Sequence, residues 1–195
     1  LKRFESYEDT FEIMSCYLDC LVFRTTDHKK LELAQKYFKK PIINALSDIS
    51  HPCQAISDIY TLKEIFGTVD DLNIVWMGDM NNVLFSLIEA FNFLNNSKID
   101  VFTDKKIFEK NKNQFNFSKK VKYHFELNKN IISSAHCIMT DVFTSMNDKE
   151  NKETLLSKFQ VNRNLMDLTN KNAIFMHCLP AKIGSEVTEE VIKGE

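Results

Sequence analysis

Leu72-Asn73-Ile74-Val75-Trp76-Met77 is an apolar run of strand length, and Gly78-Asp79-Met80-Asn81-Asn82 interrupts it with a polar turn. From residue 82 to 94 the apolar positions take helical spacing, so the segment reads as strand, turn and helix. The alternation continues on both sides. Downstream, 98–103, 138–143 and 173–176 read as strands; upstream, 18–24 and 41–46 read as strands around a helix at 28–39. Between the two sets, Ala55, Ile59, Leu62 and Ile65 keep helical spacing from His51 to Phe66, and Gly67 is a natural stop. Strands alternating with helices predict an α/β fold with mostly parallel sheets. The expected architecture is two parallel-sheet α/β lobes, the first truncated, joined by a helix, with boundaries at 1–52, 53–67 and 68–195.

Composition narrows the functional classes. With 44% hydrophobic and 27% charged residues the chain has the mix of a soluble globular protein, which excludes disorder, collagen and a disulfide scaffold. The four glycines, at 67, 78, 184 and 194, allow neither a Gly-x-Gly-x-x-Gly nor a Walker-type loop, so any phosphate is held another way. Lys+Arg 25 against Asp+Glu 27, with no sustained basic stripe, argues against a nucleic-acid partner. No apolar run approaches the roughly 20 residues that span a bilayer, so no membrane partner is expected. Cys16, Cys20, Cys53, Cys137 and Cys178 lack metal-finger spacing and suit reduced thiols in a cytoplasmic compartment.

In parallel α/β sheets ligands bind beyond the carboxyl ends of the strands. Five such ends carry chemistry-capable groups here. Arg24 follows the first strand; its fork suits a phosphate or carbonyl oxygen, or it has simply snorkelled to solvent. His51-Pro52-Cys53-Gln54 opens a helix, where free N–H groups favour anions and lower an imidazole pKa; a capping turn with Pro at the first position explains it equally. Asp79, Asn81 and Asn82 could recognise an α-carboxylate or merely cap a helix. Asp141, Ser145 and Met146 would suit an α-amino group. His177-Cys178-Leu179-Pro180 presents a thiol, but neighbours on a strand point to opposite faces, so His177 is poorly placed to activate Cys178. His28, His124 and His136 read as structural.

Taken in order, His51-Pro52-Cys53-Gln54-Ala55, Trp76-Met77-Gly78-Asp79-Met80-Asn81-Asn82, Asp141-Val142-Phe143-Thr144-Ser145-Met146 and Phe175-Met176-His177-Cys178-Leu179-Pro180-Ala181 resemble the ornithine carbamoyltransferase family. Weaker similarity runs from Glu8-Asp9-Thr10 to Glu186-Val187-Thr188. Cys178 and the Ser145-Met146 pair look like the ornithine branch rather than the aspartate branch.

The resemblance implies carbamoyl transfer from carbamoyl phosphate to the δ-amine of L-ornithine, giving L-citrulline and phosphate without metal or organic cofactor. It implies that 1–52 belongs to a carbamoyl-phosphate-binding domain, 53–67 to an interdomain helix and 68–195 to a Rossmann-like ornithine-binding domain. Arg24, His51 and Cys178 would be catalytic. Arg24, His51, Gln54, Cys178 and Leu179 would hold carbamoyl phosphate; Asn82, Asp141, Ser145 and Met146 would hold ornithine, with Asp79 and Asn81 in support. The family's trimers imply a homotrimer or a multiple of one.

Two departures shape the expectation. The family's Ser-Thr-Arg-Thr phosphate grip has no copy here and is expected upstream, as a family arginine is expected beyond Glu195; the 195 residues would then be a piece that does not catalyse alone. Asn147 stands where the family usually has Gly, which would stiffen a substrate loop. A non-catalytic relative, or an enzyme for another amine such as putrescine or acetylornithine, is the competing expectation.

Overall fold

A computed structural model describes residues 5–115, 118–144 and 150–194, so Ser145, Met146 and Asn147 lie outside the described residues. The chain runs α1 (Tyr7–Tyr17), β1 (Leu21–Arg24), α2 (His28–Tyr37), β2 (Ile42–Leu46) and α3 (Pro52–Phe66). It continues with β3 (Asn73–Met77), α4 (Asn82–Phe91), β4 (Lys98–Phe102), α5 (Lys105–Phe115), β5 (Val121–His124) and α6 (Lys129–Ser133). The last elements are β6 (Cys137–Thr140), α7 (Glu153–Leu156), α8 (Arg163–Met166), β7 (Ile174–His177) and α9 (Glu189–Lys193).

Two parallel sheets result. β1 and β2 pair with Leu21 opposite Ile42, over a small core of Phe11, Leu21, Ala34 and Phe38. The second sheet has the order β5-β4-β3-β6-β7, every pairing parallel. Its central strand β3 buries Ile74, Val75, Trp76 and Met77 together, the continuous apolar run required when helices cover both faces. Strand order reverses at β3, whose neighbours are β4 on one side and β6 on the other. That reversal opens a crevice beyond the β3 and β6 carboxyl ends.

Local chemistry sets the connections. Pro52 occupies the first turn of α3, and Gly67 ends the helix in the left-handed region at φ 73°, its N–H bonded to the Lys63 carbonyl. Asn81 caps α4, its Oδ1 accepting from Val83 and Leu84 N–H at 3.1 Å each. Gly78 turns the chain between β3 and that cap at φ 123°, where a Cβ would stand 2.8 Å from Phe143 Cε1. Only glycine fits.

Three departures of the observed elements from the sequence expectations bear on the sheets. The strand expected at 18–24 begins at Leu21, because α1 runs to Tyr17 and Leu18 is its C-cap, with its N–H bonded to the Met14 carbonyl. The strand expected at 138–143 stops at Thr140; the Asp141 carboxylate takes the Val142 N–H at 2.7 Å and turns the chain out of the ladder. The pair α5–β5 has no counterpart among those expectations, since the polar α5 sequence buries only Ile107 and Phe115.

Candidate active site

The crevice at the sheet reversal gathers side chains from both sheets and from α3. At the end of β6, Asp141 is 9% exposed and works as a hub. Its Oδ2 accepts from Asn81 Nδ2 at 2.6 Å, and its Oδ1 accepts from Val142 N–H and from the Cys178 thiol at 3.0 Å. Two carboxylate oxygens offer about four acceptor positions, so Asp141 keeps capacity for a cationic ligand. Burial, then the Asp141 charge, push the Cys178 thiol far above its ordinary range. It is a protonated donor here, not a thiolate nucleophile.

His51 sits at the N-terminus of α3, where its backbone N–H donates to Ser86 Oγ of α4 at 2.8 Å. Burial lowers its pKa first and the Arg24 guanidinium lowers it further, while Asp141 works the other way. The imidazole is therefore neutral at physiological pH. Its buried Nδ1 has no hydrogen-bond partner among the described residues. The ends of β1, α3 and β6 thus share one electrostatic environment.

Gln54, one turn into α3, donates from Nε2 to Asp58 Oδ1 at 2.9 Å. Asn82 donates to the Ser47 carbonyl at 2.7 Å, tying the start of α4 to the end of β2. Beside this tie a cavity of about 290 Å³ is lined by Ser47, Asp48, Asp79, Asn81, Asn82 and Lys152. A larger hollow of about 590 Å³, beside Glu153 and Lys182, holds none of the predicted groups.

Behind Cys178, His177 Nδ1 accepts from the Leu179 N–H at 2.9 Å, so Nε2 carries the proton toward Glu186 Oε1 at 3.3 Å. Leu179 has φ 53°, a strained value for a branched residue, and the residue is 61% exposed. Asp141, His177 and Cys178 bring ligand atoms within 4.8 Å of one another, but both His177 nitrogens and the Cys178 proton already serve these bonds.

Residues 70–195 match the family model described as aspartate/ornithine carbamoyltransferase, Asp/Orn binding domain, and residues 1–64 match the carbamoyl-P binding domain of the same family. The chain belongs to the aspartate/ornithine carbamoyltransferase family. The ornithine carbamoyltransferase of Rhizobium meliloti (strain 1021) is 38% identical over 199 residues, covering 100% of this chain and 65% of its own. The ornithine carbamoyltransferase from Pyrococcus furiosus superposes with a TM-score of 0.82 at 36% identity, over 98% of this chain and 64% of its own. That from Burkholderia thailandensis E264 gives 0.85 at 28%, over 99% and 63%. The chain thus spans just under two thirds of the length of these carbamoyltransferases.

Of the residues singled out from the sequence, this crevice brings together Arg24, His51, Gln54, Asp141 and Cys178, with Asn82 at the tie between the sheets. Leu179 follows directly on Cys178. Ser145 and Met146 fall outside the described residues. Asn81 caps α4 and holds Asp141, whereas Asp79 is buried and paired with Lys152 Nζ at 2.8 Å. His28, His124 and His136 bond Ser47, Asp100 and the Asn73 N–H respectively. Sequence reasoning passed over Asp58, Ser86, Lys152 and Glu186. Asp58 had a readable signal: a carboxylate in the buried stripe Ala55, Asp58, Leu62, four residues from Gln54.

Proposed function

We propose that this chain carries most of the active site of an ornithine carbamoyltransferase. Carbamoyl phosphate binds at Arg24, His51, Gln54, Cys178 and Leu179; L-ornithine binds at Asn82, Asp141, Ser145 and Met146. The neutral δ-amine of ornithine attacks the carbamoyl carbon, forming the new C–N bond. Arg24 and the neutral His51 donate to the oxyanion of the tetrahedral intermediate, and Gln54 orients the carbamoyl nitrogen. The C–O bond to phosphate then breaks, the amine loses its proton, and L-citrulline and phosphate leave. The observation that carries this reading is the Asp141 hub, which holds a carboxylate and a protonated thiol in the same electrostatic environment as Arg24 and His51. Such an arrangement suits non-covalent transfer to an amine and disfavours an acyl-thiol intermediate.

The reading extends to organisation. Residues 1–52 form part of the carbamoyl-phosphate-binding domain, 53–67 the interdomain helix and 68–195 the ornithine-binding domain, supported by the family matches on either side of residues 65–69. The working enzyme is a homotrimer or a multiple of one in the cytoplasm and needs no cofactor. Five free cysteines fit a reducing compartment. No helix among the described residues is long and apolar enough to cross a membrane.

The test is citrulline formation by the complete gene product, with L-ornithine, putrescine and acetylornithine compared as acceptors. Turnover with ornithine supports the reading; turnover only with another amine refutes the assignment of Asp141 to an α-amino acid. His51→Ala should lower kcat by about 100-fold or more while shifting the ornithine KM little. An unchanged kcat removes His51 from the mechanism.

A further inference from the structure

Asp58 is 4% exposed on the buried face of α3, at a position where an apolar side chain would pack without penalty. Its Oδ1 accepts from Gln54 Nε2 at 2.9 Å, and its Oδ2 is buried with no hydrogen-bond partner among the described residues. A carboxylate in this setting is costly to keep. What it does for Gln54 explains its presence.

A glutamine amide offers NH2 on one side and a carbonyl oxygen on the other, and alone it can present either. An ionised carboxylate only accepts, so Gln54 must turn its NH2 toward Asp58. The carbonyl oxygen then points away from Asp58, and none of the hydrogen bonds among the described residues ends on it. A ligand with an NH2 group needs such an acceptor. A flipped Gln54 would set donor against donor at a carbamoyl nitrogen, leaving both unpaired.

We propose that Asp58 is the positioning residue that fixes the polarity of the Gln54 amide, so that its carbonyl oxygen faces the carbamoyl NH2 of the substrate. This rests on the carbamoyl-transfer reading above. The same carboxyl feels Asp141 across the crevice, and the Cys137 and Cys178 thiols feel Asp58 in turn. Burial pushes both thiols well above their ordinary values, so both stay protonated near neutral pH.

The experiment has two arms. Kinetics on the complete gene product compare the parent with Asp58→Asn, Gln54→Ala and the double variant. The side-chain amide introduced by Asp58→Asn can donate as well as accept, so it no longer dictates the Gln54 orientation; kcat/KM for carbamoyl phosphate should fall about tenfold, with the ornithine KM moving less. If Asp58 acts through Gln54, adding Asp58→Asn to Gln54→Ala produces no further loss. Multiplying losses, or a kinetically silent Asp58→Asn, overturns the proposal. The second arm reads the amide without turnover: in 15N-glutamine-labelled protein, the Gln54 side-chain NH2 signal, assigned by its loss in Gln54→Ala, is followed with pH. It should shift with a midpoint near the Asp58 pKa of about 6 and become flat in Asp58→Asn. A flat parent signal, or one unchanged in Asp58→Asn, overturns the proposal. A parent inactive with every amine refutes the carbamoyl-transfer reading alone, because the amide signal still decides whether Asp58 orients Gln54.

Discussion

Replacing Asp58 by Asn should stabilise the protein at neutral pH, which is opposite to the usual outcome of changing a buried, hydrogen-bonded group. Burial pushes the Asp58 carboxyl from 3.8 to about 6; the Gln54 bond pulls it partly back, and the Asp141 charge adds to the rise. Because the folded state holds the proton more tightly than the unfolded chain, Asp58 is harmless well below pH 4, where it is protonated in both states. Its penalty grows from about pH 4, where the unfolded carboxyl ionises, and levels off above about 6, where the folded protein must bury a charge. Two pKa units at about 1.4 kcal/mol each set that penalty at about 3 kcal/mol above pH 7. Asn keeps the size and one acceptor but removes the charge. Parent and variant should therefore melt together near pH 4 and separate by roughly 6–12 °C at pH 8, the variant higher. Thermal unfolding followed by circular dichroism at pH 4, 6 and 8 reads this directly. A variant less stable than the parent at pH 8, or a gap that does not change with pH, refutes the account of Asp58 as a buried charge. Joined to the kinetic test, the combination is diagnostic: a gain in stability with a loss of activity marks a group retained for function.

Other substitutions probe the supports of the crevice. Gly78→Ala places a methyl 2.8 Å from Phe143 Cε1 at φ 123°, and should destabilise by roughly 2–4 kcal/mol in urea denaturation; a change under about 1 kcal/mol means the turn can relax. Ser86→Ala leaves the His51 N–H without its acceptor at 2.8 Å and should cost about 1–2 kcal/mol, read by the same titration, with no effect as the contrary result. Glu186→Ala strips a fully buried carboxylate from His177 Nε2 and the Lys182 N–H, and should cost roughly 2–4 kcal/mol. Burial raises the Glu186 pKa, but its hydrogen bonds outweigh that and hold it below 4.5, so its contribution is present above the unfolded pKa and is lost as pH falls through the folded value. An Ala variant whose deficit persists at low pH contradicts this. The His51 pKa, lowered by burial and Arg24, places any imidazole limb in the pH dependence of kcat below 6.5; a limb above 6.5 means that the imidazole is not held neutral.

Much of this arrangement is legible in the residues because it resides in short segments. The strand β3 followed by Gly78 and the Asn81 cap is written contiguously, and the polar groups after β1, β6 and β7 follow from where ligands meet a parallel sheet. Arg24, His51, Gln54, Asp141 and Cys178 can be singled out on that logic alone. What escapes it is tertiary. Ser86 stands 35 residues from the His51 N–H it accepts from, and nothing in the α4 pattern distinguishes it from a small residue in a buried face. The α5–β5 pair escapes because two buried side chains in an eleven-residue helix give too weak a period. Asn81 reads in the sequence as a possible ligand for a substrate carboxylate, but its Oδ1 is committed to the helix cap and its Nδ2 to Asp141.

Those commitments point to a common design in the crevice. His51, Gln54, Asp141 and Leu179 are each pinned by a neighbour that engages one part of the residue and leaves another for the ligand. Ser86 takes the His51 backbone N–H and leaves the imidazole; Asp58 takes the Gln54 NH2 and leaves the carbonyl. Asn81, Val142 and Cys178 take three positions on Asp141 and leave the rest of its acceptor capacity. His177, itself held by Glu186, takes the Leu179 N–H and holds that residue at φ 53°. Side chains fixed in this way need little reorganisation when a ligand arrives, which is where preorganised donors and acceptors gain their advantage over water. Ser86, Asp58 and Glu186 are assigned no substrate contact, so their loss should separate from the loss of the groups they hold: a fall in rate that disappears once the pinned group is itself removed. The Asp58 and Gln54 double variant tests that rule at the one pair where the pinning residue also carries a measurable stability penalty.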